Sequence, residues 1–108
     1  MNVNPYNAQN SKLTTAGGQS SALNLAAGAN LVKAGQGRVN TLIVNAAGTA
    51  GTFAVYDSAT TGGASASNAI YVGLNTTAAA TVIKLDFPYS NGLVVTVPTG
   101  GAVAVSYI

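Results

Sequence analysis

Two carboxylates, Asp57 and Asp86, and four cations, Lys12, Lys33, Arg38 and Lys84, make up the whole formal charge of this 108-residue chain, which has no histidine and no cysteine. The usual general base, the thiolate nucleophile and the common metal-ligand spacings are therefore missing. Two carboxylates could in principle work as the acid and base of a glycoside hydrolase. Such a dyad also needs a cleft, and nothing around either residue indicates one. Asp57 follows Tyr56 at the head of a loop, and Asp86 stands two residues before Pro88 at a strand end. Both are places where aspartate accepts turn hydrogen bonds. Two isolated aspartates also lack the clustered oxygens of a calcium loop. The expectation is a protein without a catalytic site, cofactor or bound metal.

Three other patterns invite a chemical reading. Gly35-Gln36-Gly37-Arg38 has the glycines of a phosphate cradle, but it leads into an extended stretch and lacks the remaining glycine and lysine, so it reads as a turn. Asn75-Thr76-Thr77 fits a glycosylation sequon, which has force only in a secreted chain. Tyr56, Tyr71, Tyr89 and Tyr107 could offer aromatic faces to a sugar, with Tyr71, Tyr89 and the loop from Ser58 to Asn68 as the ligand face. A strand tyrosine is more often half in the core with its hydroxyl at the rim, and there is no tryptophan to lead a stacking platform.

The elements that must hold these residues are strands. In Thr81 to Ile108, Val82, Lys84 and Asp86 alternate with Ile83, Leu85 and Phe87, the period-two pattern of a half-buried strand. Asn91-Gly92 supplies residues tolerant of positive φ, so Leu93 to Val97 is expected to fold back on that strand as a hairpin. Pro98 to Gly101 makes the next reversal, and Val103, Val105 and Tyr107 share one face of the last strand. These three strands read as a meander.

Upstream, Arg38 to Asn45 carries apolar residues on both faces and fits the interior of a sheet. Phe53 and Val55 share one face of a strand from Thr52 to Tyr56, and Ala69 to Gly73 is another strand. Ser20 to Leu25 and Ala29 to Lys33 are short apolar stretches, although alanine and leucine leave room for a helix through Leu23 to Ala29. Strand starts at Ser20, Ala29, Arg38, Thr52, Ala69, Thr81, Leu93 and Ala102 give about eight strands at the spacing of sandwiches and barrels. The expected fold is all-β: a two-layer antiparallel β-sandwich, jelly-roll or immunoglobulin-like, spanning residues 20–108, preceded by an extended N-terminal arm over residues 1–19.

Composition narrows the partners. Charged residues are 6% of the chain, against about 25% in an ordinary globular domain. A surface of Ser, Thr, Asn, Gln and Gly costs less to dehydrate than one of ammonium and carboxylate groups, which suits a chain that buries its outside against other subunits. A neutral surface on an ordinary secreted β-domain is the simpler alternative. The net charge of +2 is too small and scattered for nucleic acid, and no apolar run is long enough for a membrane span. The opening Met-Asn-Val-Asn-Pro does not read as a signal peptide, so the chain is expected to be made in a cytoplasm and used as it is made. In the arm, Pro5, Tyr6 and Leu13 are compatible with a segment that orders on a neighbour, or equally with a frayed terminus. Lys12, Lys33 and Arg38 are further candidates for a partner interface.

Lys33 to Val44 (K-A-G-Q-G-R-V-N-T-L-I-V), V-Y-D-S at Val55 to Ser58, and F-P-Y-S-N-G-L-V-V at Phe87 to Val95 with the closing A-V-S-Y together resemble small structural proteins of tailed bacteriophages and prophages. The resemblance covers most of the chain after the arm and rests on turn and strand residues. It implies a virion component on the outer surface of the head, a decoration or cement protein that is β-rich, often homo-oligomeric and bound to the major capsid protein. Lys12, Lys33, Arg38 and Lys84 would then be weak candidates for contacts to an acidic capsid surface, each worth at most about 1 kcal/mol, and the protein would be made in the host cytoplasm. A head-fibre or tail-fibre module that binds a receptor or carbohydrate is the alternative within the same resemblance.

Overall fold

The computed structural model describes residues 20–108, which form eight strands: β1 Ser20–Leu25, β2 Gly28–Ala34, β3 Gly37–Ala46, β4 Thr52–Asp57, β5 Ala69–Leu74, β6 Val82–Tyr89, β7 Gly92–Val97 and β8 Ala102–Tyr107. Two short 3-10 turns, Thr61–Gly63 and Ala66–Asn68, interrupt the loop between β4 and β5. All strand pairings are antiparallel, in two four-stranded sheets ordered β1-β8-β3-β6 and β2-β7-β4-β5. Among sequence neighbours, β4 and β5 alone hydrogen-bond to each other, and every other connection passes from one sheet to the other. This is the strand order of a jelly roll rather than an immunoglobulin domain. No helix in the described residues is long and apolar enough to cross a membrane.

The core lies between the sheets and follows the alternation of the strands. Val39, Leu42 and Val44 of β3 with Val103 and Val105 of β8 face Phe53 and Val55 of β4 with Leu93, Val95 and Val97 of β7. The expected strand starts fall within one residue of the observed ones, and β3 lies inside its sheet between β8 and β6.

The meander is not formed. Val82–Tyr89 pairs with β3, Gly92–Val97 with β2 and β4, and Ala102–Tyr107 with β1 and β3. Ser90 and Asn91 therefore carry the chain across a corner of the sandwich instead of closing a hairpin. Neither Asn91 nor Gly92 has a positive φ. Alternation tells which face of a strand is apolar, and that is equally satisfied by a neighbour in the same sheet or by a strand of the opposite one. The alternation of β6 also breaks at Asp86, whose φ of 43° marks a bulge, so Phe87 is half exposed while Ile83 and Leu85 pack against the core. The helix through Leu23 to Ala29 is absent; β1 and β2 occupy that stretch, separated by Ala26 and Ala27, and Gly28 opens β2 at φ 106°.

Candidate functional site

The β6–β7 corner gathers most of the residues that could do chemistry. Tyr89 ends β6 and enters the core almost fully buried, and its hydroxyl donates to the Ile108 carbonyl at 2.7 Å. Burial pushes the phenol pKa up, with Tyr107 adding to the effect. Gly37 makes room for this contact: a Cβ there would stand 2.6 Å from the Tyr89 hydroxyl and would run into the Ile108 carbonyl. Behind the corner, the Asp57 carboxylate at the end of β4 accepts from the backbone amides of Ser90 (3.0 Å), Asn91 (2.8 Å) and Gly92 (3.3 Å). Asp57 thus anchors the corner where the chain passes from β6 into β7, its own sheet neighbour, more than thirty residues away in sequence, rather than the loop that follows it.

Burial alone would raise the Asp57 pKa, but the three amides together outweigh it and hold the carboxyl below its ordinary value. A depressed carboxylate pKa stabilises the fold above the ordinary value near 3.8, and that contribution is lost as pH falls toward the lower folded value. Asp57→Asn is expected to cost about 1–2 kcal/mol at neutral pH, because a neutral oxygen accepts more weakly from three amides. It should also flatten the decline in stability below pH 4. Urea unfolding across pH 2.5 to 7 checks both; an unchanged midpoint at pH 7 would remove Asp57 from this role.

Around the same corner, Gln36, Gly37, Arg38, Pro88, Ser90 and Ile108 rim an open depression of about 420 Å³. Its one cation, Arg38, is already engaged: Nη1 donates to the Asp86 carboxylate at 3.1 Å and to the Asp86 carbonyl at 3.0 Å. The pair is largely exposed, so it contributes at most about 1 kcal/mol. Asp57 and Asp86 have separate partners, the corner amides for one and Arg38 for the other. In Gly35-Gln36-Gly37-Arg38 the first two residues turn the chain between β2 and β3 and the last two begin β3, with Gly35 at φ 99° and its amide bonded to the Asn91 carbonyl at 2.8 Å.

The tyrosines do not make a platform. Tyr89 as part of a ligand face is corrected by its burial and its bond to Ile108. Tyr71 and Tyr107 pack against the core, and Tyr56 alternates to the other side of β4 from Val55. The loop from Ser58 to Asn68 is tied by its own contacts: Ser58 Oγ donates to the Thr60 carbonyl, Thr60 Oγ1 accepts from Gly63, and Asn68 caps Ser65. Lys33 is half-buried on β2, opposite Leu93. Pro5, Tyr6, Lys12 and Leu13 lie outside the described residues.

The outer faces of the sheets carry what sequence patterning passed over. On the β1-β8-β3-β6 sheet, Leu23, Ile43 and Val82 are exposed, and Ser21, Thr41, Ala104 and Ser106 complete a shallow apolar depression around Leu23 and Ile43. On the β2-β7-β4-β5 sheet, Leu31, Val72 and Leu74 are exposed. Ala54 and Val94 are fully buried although neither belongs to the core between the sheets. The signal was present in the outward positions of each strand, but period-two reading spends its attention on the inward ones.

Fold and surface together define an eight-stranded jelly-roll domain with apolar, sparsely charged outer faces. No protein-family model, curated protein or solved structure matches the chain.

Proposed function

We propose that this protein is a structural virion component, a decoration or cement protein that binds the major capsid protein on the outside of a phage head. The carrying observation is the outside of the sandwich. Six large aliphatic side chains, Leu23, Ile43 and Val82 on one sheet and Leu31, Val72 and Leu74 on the other, stand exposed on a domain whose whole chain holds only six charged residues. Exposed apolar surface of this kind marks protein contact, and depletion of charge is the compositional mark of an interface centre. Repetition over a shell lets each weak contact count through avidity. Residues 1–19, with Pro5, Tyr6, Lys12 and Leu13, supply the arm of this reading, and Lys33 and Arg38 its weak electrostatic contacts.

Co-sedimentation with heads of the encoding phage tests it. The full chain should pellet with heads to saturation, and deletion of residues 1–19 should weaken binding at least about tenfold. The truncated chain should still melt cooperatively, since both sheets and the core lie within residues 20–108. Full-strength coating by the truncated chain would remove the arm from the account, and no coating by the full chain would remove the capsid.

A further inference from the structure

Among the described residues the two sheets leave four strand edges unpaired, β1, β2, β5 and β6. An open edge presents unpaired amides and carbonyls, and natural sheets protect such edges with charge, proline, bulges or a local break. β6 carries Lys84, Asp86 at φ 43° and Pro88. β2 carries Lys33 beside a register shift between Leu31 and Lys33. β1 is broken by Asn24 at φ 55° and by a shift between Ala22 and Leu25.

β5 differs from these three. Its sequence, A-I-Y-V-G-L, holds neither charge nor proline. Its irregularity falls at the start, opposite the Val55/Tyr56 step, and leaves Tyr71 to Leu74 in regular register with β4. Val72 and Leu74 point the same way from the strand and are 58% and 73% exposed. The surrounding chain is as neutral as the strand: no charged residue stands between Asp57 and Lys84.

We infer that β5 is a self-association edge, pairing antiparallel with β5 of a second copy to join two four-stranded sheets into one of eight. The Leu74 carbonyl is held by the Thr77 amide (3.1 Å) and hydroxyl (2.7 Å), and the remaining edge groups of β5 require an extended strand as partner. The second copy is the occupant the charge pattern favours, because two β5 edges meet about a two-fold axis with no like charges opposed, whereas self-pairing of β2 or β6 would bring Lys33 or Lys84 toward its own kind. With Gly73 opposite Gly73 of the second copy, Val72 of each copy faces Leu74 of the other on the outer side. On the inner side, the Tyr71 hydroxyl already fills the space a Gly73 Cβ would take. The joined sheet would carry Leu31, Val72 and Leu74 of both copies on one continuous apolar face. This inference stands apart from the capsid reading, since self-association is measured without any particle.

Sedimentation velocity on the full chain is the test, with hydrogen exchange beside it. The wild type should sediment as a dimer at about 100 µM, and Val72→Lys/Leu74→Lys should weaken dimerisation at least about tenfold. Val82→Lys, an equally exposed position on the other sheet, should leave the dimer intact. Amides of Tyr71 to Leu74 should exchange more slowly as concentration rises. A monomeric wild type at that concentration would overturn the inference and leave the edge to a strand of another protein. So would a dimer that survives the double substitution, one that dissociates with Val82→Lys instead, or one without added protection in β5.

Discussion

Phe53→Ala should destabilise this protein by about 3–5 kcal/mol, the loss expected when a fully buried aromatic ring is removed and the cavity cannot close. Phe53 is completely inaccessible and lies in the core cluster, on the β4 face that meets β3 and β8. The far end of its ring reaches the β7–β8 turn, where a Cβ on Gly101 would stand 3.2 Å from Phe53 Cζ. Truncation therefore opens a void between the sheets and beneath that turn at once. Against a total stability of about 5–15 kcal/mol for a domain, a loss of this size consumes much of the reserve. Leu23→Ala is the comparison: at 72% exposure it should change stability by no more than about 0.5 kcal/mol. Urea midpoints of the two variants check the claim, and equal effects would contradict the assignment of inner and outer faces.

Gly92→Ala should be nearly as damaging, through overpacking rather than a cavity. A Cβ at Gly92 would run into the Ser58 carbonyl and would stand 2.8 Å from the Lys33 carbonyl and 2.9 Å from Ala59 Cα. All three are backbone atoms of other segments, so no side-chain rotation relieves the clash. The β6–β7 corner, the end of β2 and the start of the β4–β5 loop would have to separate, and the Asp57 anchor to Ser90, Asn91 and Gly92 would be strained with them. The expected cost is about 3 kcal/mol, at the upper end for overpacking a close-packed site. Gly62→Ala is the control, because its Cβ direction is open and its φ is not positive. It should be neutral or slightly stabilising by reducing the freedom of the unfolded chain. Thermal melts of both variants test the pair, and a tolerant Gly92 would mean that the three segments do not meet as described.

Gly92 also shows how far the sequence could be read. Asn91-Gly92 was legible as the boundary between two strands, but not as a corner between sheets in place of a hairpin. The reason for the glycine was not: the site demands absence of a Cβ rather than a positive φ, and the atoms that impose it come from Lys33, Ser58 and Ala59. The strands themselves were legible because their apolar residues alternate, as in Val103, Val105 and Tyr107 of β8. Which strands pair was not, because alternation in β6, β7 and β8 is the same whether the three lie side by side or alternate between sheets. The bulge at Asp86 was hidden for a related reason: nothing local distinguishes an aspartate at positive φ from one in a regular strand.

The candidate site was partly legible. Asp57 and Asp86 were expected to accept turn hydrogen bonds beside their own strands, whereas their partners, the β6–β7 corner amides and Arg38, become visible only in three dimensions. Tyr89 had the appearance of a rim aromatic and is instead a core residue whose hydroxyl ties the corner to the last residue of the chain. The exposed aliphatic residues were in plain sight in the sequence. Only the sheet order separates Leu23 and Val82 on one face from Val72 and Leu74 on the other.

The capsid reading is tested most directly by the copy number of this chain relative to the major capsid protein in virions purified from its source, measured by quantitative mass spectrometry. A protein that coats the head through repeated weak contacts should be present in hundreds of copies per particle, in a fixed ratio to the capsid protein. A handful of copies, or none, would contradict it.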